Sequence, residues 1–409
     1  MNRTTKLLAA TALGTLMMVA ACHNDELLPP PLQPVNPLFA HYVSMGNSIT
    51  AGFQSGGIND STQLQSYAEL LAQRMRARFF SPLMARPGCP PPFINIFTQT
   101  RISTIPCALR IPHSPPLSYV TNVAVPGAEV MDAISNLDAA SNANALTTFF
   151  LGTLTQTQMM QRVQPTFVTV WLGNNDVLGA ATNGVNAGDS ALITAPALFQ
   201  ARYTEVADSL LAAGVEGVVL IGVANVTAVP YLSQGQTYFA IKNGAIPGVA
   251  FPDSFKVGLN CAPIALGGKG DSVLVPFPFG AGLLAQAAAG VGTTLNCTEP
   301  QTIQPAELTN LAATVAAYNS FIQTHAGAHG WAYLDPNAAF DSLRLVPNQV
   351  AAFPNFGNPA GSTTCAASPF GLGFSCDGIH PSAATHKLIA NKLIEAINAK
   401  YGTSLARIP

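Results

Sequence analysis

Three side chains of the types that acyl transfer needs stand at turn-like positions of this chain: Ser48, Asp377 and His380. A serine hydroxyl is a weak nucleophile at neutral pH, so a base must take its proton. Imidazole suits that task because its unperturbed pKa lies near about 6.5. A carboxylate on the other ring nitrogen fixes the tautomer and stabilises the cation that forms. Asp377 and His380 lie three positions apart in Asp377-Gly378-Ile379-His380-Pro381, just before a helical pattern. The same chemistry needs donors aimed at a developing oxyanion. The candidates are the backbone N–H of Ser48, the N–H of Gly127, which no side chain shields, and the side-chain amide of Asn175 in Gly173-Asn174-Asn175-Asp176. Singly, each has a plainer reading, since Ser, Asn and Asp are common turn residues.

The elements needed to position them can be read along the chain. Tyr42-Val43-Ser44-Met45-Gly46 is an apolar, strand-like run that ends in Asn47-Ser48, and Gly52 and Gly56-Gly57 then open a loop. A helix is expected over 66–80, with Ser66 and Glu69 at capping-box spacing. Residues 81–118 are too rich in proline for a helix or central strand. Further strands are expected at Tyr119–Val125, Pro165–Leu172, Val215–Val223 and Trp331–Leu334. Helices are expected over 128–140, 146–162, 196–213, 305–324 and from Ser382 to Ala399. Residues 225–304 and 335–376 break this rhythm; the first reads as a loop excursion, the second as irregular. Strands alternating with helices indicate a parallel sheet covered on both faces. Ser48 then sits at the carboxyl edge of that sheet, where ligands bind in open α/β folds.

Taken together, Gly46-Asn47-Ser48-Ile49-Thr50, the strand-ending Gly127, Gly173-Asn174-Asn175-Asp176 and Asp377-Gly378-Ile379-His380-Pro381 resemble the ordered blocks of the SGNH (GDSL-type) hydrolase family. The resemblance covers roughly residues 40–400, outside the stretches 81–118 and 225–304. It implies an α/β, flavodoxin-like three-layer sandwich with a central parallel sheet of about five strands plus loop insertions. It also implies ester hydrolysis without metal or other cofactor. Ser48 is then the nucleophile, His380 the base and Asp377 its partner, with Ser48, Gly127 and Asn175 around the oxyanion. Asn47 stands where the family usually has Asp. A non-catalytic protein that keeps this fold to bind a glycan or lipid is the competing expectation.

Bulk properties narrow the partners. The 409-residue chain carries 18 Lys+Arg against 20 Asp+Glu, a net charge of -2, so nothing points to nucleic acid. Amphipathic strands in series, as in a porin, are absent from the sequence. Arg3 and Lys6 precede an apolar run from Leu7 to Ala21, and then comes Cys22. This is the form of a secretory signal, and with cysteine at the cut it resembles a bacterial lipoprotein signal. The expected organisation is a signal peptide at 1–21, a tether at 22–38 beginning with lipidated Cys22, and a hydrolase domain at 39–405 with insertions at 81–118 and 225–304. His23, rather than aspartate, follows Cys22, which leans towards the outer membrane. An ester substrate, lipid or acylated glycan, and a membrane are the expected partners. The sequence sets no oligomeric state.

Six other cysteines remain: Cys89, Cys107, Cys261, Cys297, Cys365 and Cys376. An even number in an exported chain suggests disulfides, and no CxxC pattern argues for zinc. Many pairings are open; Cys89–Cys107, Cys261–Cys297 and Cys365–Cys376 are favoured because each brackets a loop-like stretch. Phe277, Phe279, Leu283 and Leu284 are expected to contribute an apolar lid or acyl pocket, with an ordinary packed loop as the alternative.

Overall fold

Four short runs of β-branched and aromatic residues form one parallel sheet: β1 (Tyr42–Gly46), β2 (Phe167–Trp171), β3 (Gly217–Ile221) and β4 (Ala332–Leu334), adjacent in that order. The register sets Tyr42 opposite Phe167, Phe167 opposite Gly217, and Ala332 opposite Val219. These are features of a computed structural model that describes residues 33–113, 118–135, 145–246, 249–355 and 365–409. The expected signal peptide, Cys22 and most of the expected tether lie outside the described residues. Pro34–Pro409 fold as one unit.

The helices that matter here are α1 (Ser48–Ala51), α2 (Tyr67–Met75), α3 (Gln156–Val163), α4 (Asn175–Thr182), α5 (Pro196–Ala212), α6 (Phe277–Ala288), α7 (Pro305–Ala328), α8 (Asn337–Arg344) and α9 (Ala383–Tyr401). Successive strand residues point to opposite faces, and the core divides accordingly. Val43, Met45, Val168, Val170, Val218 and Leu220 pack against α3, α5 and α7 through Met160, Phe199, Tyr203, Leu311 and Tyr318. Tyr42, Phe167, Trp171, Val219 and Ile221 pack against α2 and α9 through Tyr67, Leu71, Ile389 and Leu393. Both faces of the sheet are therefore covered, which is why its strands read as near-continuous apolar runs. Among the described residues, no helix is long and apolar enough to cross a membrane.

Among the described residues the sheet has four full strands where about five are expected. Tyr119–Val125 does run beside β1: Ser44 N–H donates to Thr121 O at 2.9 Å, and Val123 and Val125 N–H donate to Ser44 O and Gly46 O. Only Ser44 and Asn122 form a bridge, however. The Thr121 and Asn122 N–H groups turn to Phe80 O, and the Asn122 side chain takes the Ala124 N–H at 3.3 Å. A short polar side chain thus offers the backbone a local alternative to the ladder. Because Ser44 uses its own N–H and C=O on this segment, the segment lies on the side of β1 away from β2. Its place outside β1 reproduces the chain order of a flavodoxin-like sheet, whose ligand crevice opens where the order reverses, at the end of β1.

Other expectations shift. The helix expected over 66–80 stops at Met75, because Arg76 adopts a left-handed conformation with φ of 53°. Ser66 caps it, accepting from Glu69 N–H at 3.3 Å, but the Glu69 carboxylate bonds to the Ser81 hydroxyl and does not close the box. Of the helix expected over 128–140, the described residues hold one 3-10 turn, Met131–Ala133. The expected 146–162 helix divides into Ala145–Leu151 and α3. Residues 225–304 are no structureless excursion: they fold around their own small core of Tyr238, Phe255, Val273, Val275, Leu284 and Leu295, joined by the Cys261–Cys297 disulfide. The stretch 335–376, read as irregular, contains α8. The cysteines bond as Cys89–Cys107, Cys261–Cys297 and Cys365–Cys376.

Candidate active site

Gly46 is the last residue of β1, and no side chain fits there: a Cβ would stand 2.9 Å from Trp171 O. The fully buried Gln156 amide grips the Gly46 backbone on both sides, accepting its N–H and donating to its C=O, each at 2.9 Å. Asn47 then caps α1, its Oδ1 accepting from Ile49 N–H at 3.1 Å. This places Ser48 at the first position of α1, over the end of the strand. The Asn47 Nδ2 is buried without a hydrogen-bond partner among the described residues.

His380 arrives from the loop before α9. Its Nε2 lies 2.9 Å from Ser48 Oγ, and its Nδ1 lies 2.8 Å from Asp377 Oδ2. An ionised carboxylate only accepts, so Nδ1 carries the hydrogen and Nε2 is left to accept from the Ser48 hydroxyl. Asp377 is held from all sides. Its Oδ1 accepts from Ser375 Oγ at 3.1 Å, Ile379 N–H at 2.9 Å and His380 N–H at 2.8 Å. Its Oδ2 also accepts from Gly56 N–H at 2.7 Å. Burial alone would raise this carboxyl group, but the positive charge His380 carries once protonated, with the hydrogen bonds from His380 and Ile379, outweighs it and brings it down to about 2. A second bolt joins the serine loop to the histidine loop: Ser55 N–H donates to Ser375 Oγ at 2.9 Å, and Cys376 N–H donates to Ser55 Oγ at 3.2 Å.

Asn175 opens α4 at the end of β2. Gly173, at φ of 107°, makes that turn in a conformation L side chains rarely adopt. The Asn175 amide donates one hydrogen to Ala128 O at 2.9 Å, and an amide nitrogen has a second. Asn175, Ser48 and His380 line one cleft. Gly127, at φ of 80°, lies next to the Ala128 carbonyl that Asn175 holds but is not part of the cleft lining. The structure therefore brings Ser48, His380 and Asp377 into hydrogen-bond contact, sets Asn175 on the same cleft, and ties the loop of Gly127 to Asn175.

The residues that orient this set, Gln156, Ser55, Gly56 and Ser375, escape sequence reading. Their types are ordinary for loops and helix starts, and only the fold brings them to Gly46 and Asp377. The expected lid is also absent from the cleft. Phe277 packs with Phe370 and Phe374, while Leu284, Phe279 and Leu283 belong to the core of the insertion. Among the described residues, no group of three or more His, Cys, Asp or Glu side chains is arranged to hold a metal ion.

Two predictions concern the supports of the site. Asp176, fully buried, accepts from Val130 N–H at 3.0 Å, so it ties α4 to the loop after Gly127. Burial first, and the nearby Glu129 charge second, push its carboxyl up to about 7. Between the unfolded value of about 4 and that raised value, the native state holds a proton the unfolded chain has released, so stability falls as pH rises. Asp176→Asn keeps an acceptor for Val130 and should flatten this slope, raising Tm by several degrees at pH 8 but little at pH 4. Melting curves that fall in parallel for both proteins would place the titration elsewhere. The Cys365–Cys376 bridge ends one residue before Asp377 and closes a separation of 11 residues. Its loss should cost on the order of 2–3 kcal/mol in the chain-entropy model. Cys365→Ser/Cys376→Ser should lower both Tm and kcat, as read by calorimetry and ester turnover; unchanged values for both would make the bridge idle.

A serine, histidine and aspartate in sequence at the carboxyl edge of a doubly covered parallel sheet define a hydrolase-type α/β protein. The sequence model of the GDSL-like lipase/acylhydrolase family matches residues 42–393, and this chain belongs to that family. Comparison with curated proteins finds no significant match. Among solved structures, the chain is similar to a variant of an acetylxylan esterase from Geobacillus stearothermophilus, at 12% identity and a TM-score of 0.36 over 90% of this chain and 96% of that one. It is also similar to LAE5, an alpha/beta hydrolase from the metagenome of Lake Arreo, Spain, at 15% identity and a TM-score of 0.38 over 88% of this chain and 97% of that one. At these scores the likenesses carry no weight for substrate.

Proposed function

We propose that this protein is an envelope-anchored serine hydrolase that cleaves carboxylic esters through an acyl-Ser48 intermediate. The observation that carries this reading is the unbroken relay from Ser48 Oγ to His380 Nε2 at 2.9 Å and from His380 Nδ1 to Asp377 Oδ2 at 2.8 Å. His380 takes the Ser48 proton as Oγ attacks the ester carbonyl. The carbonyl oxygen gains negative charge, which the Ser48 N–H and the second Asn175 amide hydrogen stabilise, with Gly127 as the candidate third donor. The Ser48 N–H is free for this because the first N–H groups of a helix have no intrahelical acceptor. His380 then gives its proton to the leaving alcohol. A water, deprotonated by the same ring, releases the acid and restores Ser48.

The test is labelling of the full chain with a fluorophosphonate, followed by peptide mapping. Modification at Ser48 supports the hydrolase. A folded protein that stays unlabelled and turns over no p-nitrophenyl ester would favour the non-catalytic binding reading instead. Anchoring through Cys22 is a separate part of the proposal. Several acyl chains on one cysteine anchor stably where a single chain does not. Expressed with its own leader, the protein should fractionate with membranes, and Cys22→Ser should release it; a variant that stays in the membrane fraction would remove Cys22 as the anchor.

A further inference from the structure

We infer that the groove running from Ser48 between α4 and α8 is an acyl-chain site, and that the protein prefers esters of medium-chain fatty acids to acetates. The inference rests on the hydrolase reading and adds the substrate class. Asn175 and Leu178 both face the cleft from α4, three positions apart and so on one side of that helix. From the oxyanion donor, the wall thus turns apolar within a single turn. Val226, Val229, Phe340, Val350 and Phe374 continue it.

This wall is preformed. α8 is fastened at both ends to the segment that leaves β3. At its start, Asn337 Oδ1 accepts from Asn225 N–H at 2.7 Å, and Asn337 Nδ2 donates to Val223 O at 3.1 Å. At its end, the Arg344 guanidinium donates to Ala228 O. Phe340 of α8 stacks on Phe374, with ring centroids 6.2 Å apart, and Phe374 is backed by Phe277 and Phe370. Asn225, Asn337 and Arg344 therefore hold the two sides of the groove together. Between them, Leu178, Val226, Val229, Phe340, Val350 and Phe374 offer hydrocarbon surface that an alkyl chain would fill. None of these wall residues belongs to the motifs around Ser48, Asn175 or His380, and Val226 and Val229 come from the 225–304 insertion.

The test measures kcat/KM of the full chain for p-nitrophenyl acetate, butyrate, hexanoate and octanoate. Each methylene that enters the groove should multiply kcat/KM about fourfold, so three of them give about sixtyfold over acetate. Val229→Trp fills the groove and should lower the octanoate-to-acetate ratio by about tenfold or more. Val226→Phe does the same from the neighbouring position and serves if the first variant fails to fold. Acetate preference in the parent protein, or a ratio that neither folded variant moves, would overturn the inference and leave the hydrolase standing. Equal rates along the acyl series would overturn it too. Absence of both turnover and Ser48 labelling would overturn both readings together.

Discussion

Ser48→Ala should lower kcat towards p-nitrophenyl esters by about 10⁵–10⁶-fold, with little change in melting temperature. The hydroxyl is buried against His380 and bonds to its Nε2 at 2.9 Å, so removing it takes away the nucleophile while disturbing little packing. His380→Ala should cost about as much, and the double variant no more than either, because the two groups act as one unit. A residual rate above that of water should survive, from the Asn175 amide and the Ser48 N–H. Additive losses in the double variant would mean that the two side chains work in separate steps. Undiminished turnover in Ser48→Ala would remove this residue from the mechanism.

Asp377→Asn should lower kcat by about 10⁴-fold. An amide at this position can present Nδ2–H to the ring, which favours the imidazole tautomer with hydrogen on Nε2 and so spoils the acceptor for Ser48. The same substitution has a consequence for stability. The Asp377 carboxyl lies at about 2 in the native state, below its unfolded value. Its contribution is therefore present above the unfolded value of about 4 and disappears as pH falls through about 2, and amounts to about 2 kcal/mol. Asp377→Asn should melt below the parent protein at pH 7, and that gap should narrow as pH is lowered from 4 towards 2. A gap constant across this range would show that the carboxylate is not ionised in the way its five hydrogen-bond donors imply. Calorimetry carried down towards pH 2 reads the charge effect, and kcat measured at neutral pH, where an imidazole can still act as a base, reads the tautomer effect.

How much of this was legible beforehand depends on what each feature rests on. The residues that react are each ordinary in turns, and only their combination is telling: a serine after a strand, an asparagine after a third strand, and a histidine three past an aspartate before a helix. Their types and order marked them. β1, β2 and β3 were legible because strands buried on both faces must be apolar throughout, and that leaves a plain run in the sequence. Tyr119–Val125 has the same composition but does not complete a ladder. Asn122 and Phe80 O capture its backbone groups, and no composition signal announces that. α8 was missed although Ala339, Phe340 and Leu343 stand at helical spacing, because Pro336 and Pro347 frame it as a loop. The insertion at 225–304 hid its core because its apolar residues meet across long separations rather than in a local period.

The sequence by itself determined the class of chemistry and the layered α/β frame, since both follow from local facts: residue type, short spacing and alternation of apolar positions. Tertiary structure decided everything that depends on convergence. Ser48 and His380 are 332 positions apart, and only the sheet order, with β1 at the reversal, brings their loops to one edge. The same holds for Gln156 beneath Gly46, for Gly56 and Ser375 on the Asp377 carboxylate, and for the groove wall that α8 completes. Hydrogen bonds and packing act over a few ångströms, whatever the distance along the chain, so the residues that orient and select can be of any common type, and nothing in their identity reveals the task before the chain has folded.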